Sequence, residues 1–85
     1  MKVYIPTQSE INQTSLWGDW SKEPSKFDWY YDDTETCYIL EGSATVSDKQ
    51  GNKIQFKKGD MVQFEKGLEC VWEIHETIKK KFRFG

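Results

Sequence analysis

Past Pro24, no ten-residue stretch of this chain carries apolar residues at the i, i+3, i+4 spacing of a helix. The sequence breaks instead into short runs rich in β-branched and aromatic residues, each closed by Gly, Asp or Asn. Runs punctuated in this way specify an antiparallel sandwich or barrel. Strands are predicted over 27–31, 35–41, 43–47, 52–56, 61–64, 70–75 and 79–84. The turns between them are chemically explicit. Gly51 and Asn52 tolerate positive φ in a hairpin, and Lys58-Gly59-Asp60 and Lys66-Gly67 mark two further tight bends.

Residues 1–26 form an N-terminal arm, ordered but weakly patterned, ahead of a barrel over 27–85 in what is a single domain overall. Val3, Tyr4 and Ile5 could add an edge strand, and 9–16 a short helix. Trp17 and Trp20 have the spacing of one helical face. Gly18 between them and Pro24 beyond argue for an irregular segment draped over the barrel.

A chain of 85 residues hides only about 60% of its unfolded surface, so its core must be efficient. The four Trp, four Tyr and five Phe supply that efficiency, since each buries about 150–250 Å². Lys+Arg 12 against Asp+Glu 14 leaves no field to steer the chain onto nucleic acid or anionic lipid, so neither is an expected partner. No apolar stretch approaches the ~18 residues of a membrane span, and the first residues lack the order of a signal peptide. The expected setting is the cytoplasm, with both cysteines reduced.

Strand period two sorts the side chains onto faces. Asp28 and Tyr30 oppose Phe27, Trp29 and Tyr31. Glu35 shares a face with Cys37 and Ile39, and Cys70, Trp72 and Ile74 oppose Val71, Glu73 and His75.

The runs Phe27-Asp28-Trp29-Tyr30-Tyr31-Asp32, Glu35-Thr36-Cys37-Tyr38-Ile39-Leu40-Glu41-Gly42, Gly59-Asp60-Met61-Val62-Gln63-Phe64 and Gly67-Leu68-Glu69-Cys70-Val71-Trp72-Glu73 together resemble the cupin superfamily. Within it the chain is similar to the small single-domain branch typified by the ureidoglycine aminohydrolase cupin domain. The resemblance implies an all-β fold, a cupin double-stranded β-helix or jelly-roll barrel, often a homodimer, whose interior faces one open mouth. Metal-binding cupins place two His one residue apart, then a Glu, and a third His on a second motif. With Glu35 and Gly42 on the family Glu and Gly, Asp28 and Tyr30 stand at the paired His. Cys70 stands at the third, and Glu65 where a Pro is usual. Every expected imidazole is absent.

Asp28, Tyr30, Glu35 and Cys70 still count four donors for a divalent metal such as zinc. Tyrosine, however, must lose a proton with a pKa near 10, and the mixture of hard and soft donors suits no common ion. No cofactor is favoured on this reading. The other reading is a pocket lined by polar residues, in which a buried carboxylate must meet donors or titrate upward, making Glu35 a candidate general base. Cys70 as a nucleophile would need activation by His75, which lies on the opposite face about 16 Å along the strand. Both cysteines therefore read as small apolar residues, and His75 as a surface group or a partner across the sheet. Lys79, Lys80, Lys81 and Arg83, alternating with Phe82 and Phe84, read as a solvated edge that blocks further pairing. Trp29 and Tyr31 read as packing between sheets.

Three functions compete. The first is a barrel that binds a small polar organic molecule against Asp28, Tyr30, Glu35, Cys70 and Trp72. The second is an enzyme, working through the altered metal set or through Glu35 as base. The third is an interaction module with a solid interior, its Trp17 and Trp20 arm pairing with another subunit. The volume of the interior separates them.

Overall fold

The computed structural model describes residues 1–85. In chain order the elements are β1 (Lys2–Tyr4), α1 (Gln8–Gln13) running into a 3₁₀ turn (Thr14–Leu16), β2 (Gly18–Lys22), β3 (Ser25–Tyr30), β4 (Glu35–Asp48), β5 (Lys53–Lys57), β6 (Met61–Phe64) and β7 (Glu69–Phe84). No helix is long and apolar enough to cross a membrane.

β4 and β7 are the frame of the molecule, with 14 and 16 residues against a typical five or six. They pair antiparallel with each other along nearly their whole length, and each serves two layers by bending midway. The bend lies at Gly42, where φ is +92° and the β4–β7 register shifts between Ile39 and Ala44. A Cβ at Gly42 would stand 2.2 Å from the Thr77 carbonyl oxygen, so the two backbones can approach this closely only at glycine. On one side of the bend the order is β1-β6-β4-β7-β2; on the other, β5 pairs with β4 and β3 with β7. Each pair of predicted strands 35–41 with 43–47, and 70–75 with 79–84, is thus one continuous bent strand.

The turns follow from local chemistry. Asp48 Oδ1 accepts from the N–H groups of Gln50 and Asn52 at 2.9 and 2.8 Å, tying the β4–β5 hairpin. α1 opens on a capping box, with the Glu10 N–H donating to Thr7 Oγ1 at 3.2 Å and the Thr7 N–H to Glu10 Oε1 at 3.0 Å. The Trp17–Trp20 region, read from sequence as irregular, forms β2 and pairs with β7 from Gly18↔Phe82 to Lys22↔Ile78. In consequence β7 is no sheet edge: β4 lies on one side and β2 and β3 on the other.

The core lies between the two layers. Cys37, Ile39, Val62, Phe64 and Ile78 from one meet Ala44, Val46, Phe56, Trp72 and Ile74 from the other. Trp72 sits at its centre, with Phe56 at 5.4 Å and Phe64 at 5.6 Å between ring centroids, while Tyr31 stacks on Phe64 at 4.7 Å. Burying one such ring contributes about 1.5–3 kcal/mol, and ring pairing adds about 0.5–1.5 kcal/mol. Met61 alternates with Val62 and is buried outside this cluster, on the opposite face. On that face Trp17 stacks against Arg83 and Tyr4 bonds Glu10, so these arm residues cover the outer side of the barrel while Val3 and Trp20 pack against the core.

Candidate functional site

The aromatic packing stops short of the gap between β2 and β3. A cavity of about 180 Å³ remains there, open to solvent on one side. Trp20, Phe27, Tyr31 and Trp72 form its walls, Trp29 and Phe84 stand half exposed at its rim, and Glu35 and Lys80 lie at its floor.

Strand alternation explains the floor. Ile78, Lys80 and Phe82 of β7 point inward together, as do Glu35, Cys37 and Ile39 of β4. The pairing Ile39↔Lys80 then lets the lysine chain run back along β4. Lys80 Nζ donates to Glu35 Oε1 at 3.1 Å and to Cys37 Sγ at 3.3 Å, and the Cys37 thiol donates to the same carboxylate oxygen at 2.9 Å. The ammonium also lies 4.7 Å from the Trp20 ring centroid and 5.0 Å from that of Trp72. Only 5% of the Lys80 side chain and 7% of the Glu35 side chain reach solvent. Removing both charges from water is expensive, and the ion contact, the thiol donor and the cation–π contacts together offset it.

The pair is not closed on itself. An ammonium has three donors, and the protein engages two of those on Lys80. Glu35 Oε2 makes no hydrogen bond within the protein; since no fully buried side-chain oxygen or nitrogen lacks a partner, this oxygen is open to the cavity. In the wall, Tyr31 Oη accepts from Trp72 Nε1 at 3.2 Å. Burial, reinforced by the Glu35 charge, holds the Tyr31 phenol well above its ordinary pKa, so its proton stays on. Burial likewise pushes the Cys37 thiol strongly upward, outweighing the neighbouring Lys80 charge. The group beside the ammonium is therefore a thiol, not a thiolate.

The structure brings two of the five sequence-predicted binding residues, Glu35 and Trp72, into this cavity. Asp28 and Tyr30 are exposed and point away, because Phe27, Trp29 and Tyr31 take the inward face of that segment. Cys70 is buried further along β7, its Sγ 3.6 Å from the Trp29 carbonyl, with burial pushing its thiol up to about 11. Asp28, Tyr30 and Cys70 meet instead around an open concavity with Lys49 and Glu69, at which neither Glu35 nor Trp72 contributes. His75 lies exposed on the outer face, its Nε2 2.8 Å from Thr45 Oγ1 across the sheet, far in kind and direction from any thiol.

The donor set does not fit a resident metal. Asp28, Tyr30, Glu35 and Cys70 do not converge, and no three His, Cys, Asp or Glu groups cluster with metal-holding geometry. At Glu35 itself the neighbouring position is filled by the Lys80 ammonium, which would repel a second cation. Lys80 is the residue that the sequence reading places wrongly, on a solvated edge. Its signal is positional: a lysine in register with Ile78 and Phe82 on the apolar side of an alternating strand.

A model of the EutQ-like cupin domain matches residues 10–82. Comparison with curated proteins finds no match. Among solved structures, a DUF861 family protein from Thermotoga maritima superposes with a TM-score of 0.95 at 43% identity, over 99% of this chain and 98% of that one. The Clostridium difficile EutQ protein gives 0.72 at 18% identity over 79% of this chain, which spans 52% of the EutQ chain. A DUF861 family protein of unknown function from Pseudomonas syringae gives 0.72 at 22% identity over 80% of this chain and 29% of its own. The last two likenesses concern the fold alone. With a family match over most of its length and a full-length relative of high identity, the chain belongs to the EutQ-like cupin domains, within the DUF861-type branch of the cupin superfamily.

Proposed function

We propose that this cupin domain binds a small organic molecule in the cavity between β2 and β3, without a metal. The observation that carries the reading is the half-used ion pair. At the floor of an otherwise aromatic cavity, Glu35 Oε2 and one N–H of Lys80 have no partner within the protein. A cavity with apolar walls and a few convergent polar groups is the usual form of a small-molecule site. Catalysis by Glu35 as a general base would demand more, since its other oxygen already accepts from the Lys80 ammonium and the Cys37 thiol and only Oε2 faces a ligand. Binding needs only the atoms already open.

Nuclear magnetic resonance with a library of small ring compounds tests the reading, with the indole N–H signals of Trp20 and Trp72 as reporters. Compounds that bind should shift those two signals together with the Glu35 and Lys80 backbone amides. Shifts confined to other faces of the barrel, or none with any compound, would refute it.

A further inference from the structure

Resting on that binding reading, we infer that the ligand is an uncharged single ring whose edge carries a hydrogen-bond donor beside an acceptor, the chemistry of a cyclic amide. Size sets the first limit. An engineered apolar cavity of about 150 Å³ takes up benzene. A cavity of about 180 Å³ therefore has room for one ring with a substituent.

Charge sets the second. Aromatic walls over a carboxylate are the usual receptor for an organic cation, but here the cation position is taken by Lys80, 4.7 and 5.0 Å from the rings of Trp20 and Trp72. A cationic ligand would face that ammonium. An anionic ligand would find Lys80 already paired with Glu35 and would place a second negative charge beside it. The floor is neutral as a unit, so either ion would enter a desolvated site without compensation, whereas a neutral ring would not.

The open atoms set the third. Glu35 Oε2 accepts and a Lys80 N–H donates, so the matching edge presents one N–H and one C=O, as a cyclic amide does. A sugar ring fits less well on the same count: it brings several hydroxyls, and beyond Glu35 and Lys80 the only polar groups in the mostly aromatic lining are the Tyr31 hydroxyl and the indole N–H groups of the tryptophans. Each unmatched hydroxyl would be buried without a partner.

The test is titration of the full chain with 2-pyridone, a neutral cyclic amide, against benzene, benzoate, benzylammonium and methyl glucopyranoside, followed by calorimetry and by the Trp72 indole N–H signal. 2-Pyridone should bind at least about tenfold more tightly than each of the others, the scale of one charge-assisted hydrogen bond. In the variant Lys80→Met/Glu35→Leu that preference over benzene should vanish while the fold persists in circular dichroism. If benzoate, benzylammonium or the glucoside binds as tightly as 2-pyridone, the ligand class is wrong but the binding site stands. If no probe moves the Trp72 signal, the binding reading fails along with it.

Discussion

Lys80 Nζ lies 3.1 Å from Glu35 Oε1, both side chains almost wholly withdrawn from solvent, in a wall of indole and phenyl rings. Such a pair is asymmetric in its response to mutation. Removing one partner strands the other charge, whereas removing both abolishes the desolvation penalty with the attraction. Lys80→Met alone should lower the unfolding free energy by about 3–5 kcal/mol. The double variant Lys80→Met/Glu35→Leu should return to within about 1 kcal/mol of the parent or exceed it. Urea denaturation measures both. A single variant as stable as the parent would mean that the pair is solvated and the floor is not as described.

Gly42 carries the bend that lets β4 and β7 serve both layers. At φ +92°, with Thr77 O 2.2 Å from where a Cβ would sit, alanine is strained by its own backbone and obstructed by its neighbour's. Gly42→Ala should therefore cost about 3 kcal/mol or more, the sum of a backbone and an overpacking penalty. Gly51, at φ +89° with nothing within 4 Å, suffers only the backbone part. Gly51→Ala should cost about 1–2 kcal/mol. Equal losses at the two positions in urea melts would show that the close approach at Thr77 contributes nothing.

The fold was legible because its signals are local. β6 falls at the predicted 61–64, and Gly51, Gly59 and Gly67 turn the chain with positive φ where the sequence marks turns. The site was only half legible. Glu35 is placed by its parity with Cys37 and Ile39, and Trp72 by its parity with Cys70 and Ile74. Asp28 and Tyr30 fall outside this cavity because Phe27, Trp29 and Tyr31 take the inward face, an alternation that the family's ligand positions outranked in the sequence reading. Lys80 was hidden by composition, since three consecutive lysines suggest a solvated run although only the middle one shares the face of Ile78 and Phe82. β2 was hidden for a different reason: Gly18-Asp19-Trp20-Ser21-Lys22 has little intrinsic strand preference, and its partner β7 imposes the conformation.

Burial raises the Cys70 thiol from 9.0 to about 11, with the Asp48 and Glu65 charges adding to it. Below pH 9 the thiol is protonated in folded and unfolded chains alike, and its contribution to stability is complete. From pH 9 to 11 the unfolded chain releases a proton that the folded chain keeps, so stability falls as pH rises. Unfolding free energies between pH 8 and 11 should decline accordingly. Cys70→Ala should flatten part of the decline, leaving the part due to Cys37, Tyr31 and Tyr4, whose pKa values burial also raises. An unchanged slope in Cys70→Ala would remove Cys70 from the explanation.

The Trp72 indole N–H donates to Tyr31 Oη at 3.2 Å, joining the centre of the core to the cavity wall. Tyr31→Phe keeps the ring stacked on Phe64 but leaves that N–H buried without an acceptor, which should cost about 1–3 kcal/mol. The loss belongs to the contact only if it depends on the donor. In a cycle with Trp72→Phe, the double variant should be more stable than the sum of the single losses by about 1 kcal/mol. Strict additivity would mean that the Tyr31 hydroxyl contributes through some other neighbour, and that the indole N–H finds its partner in the cavity instead.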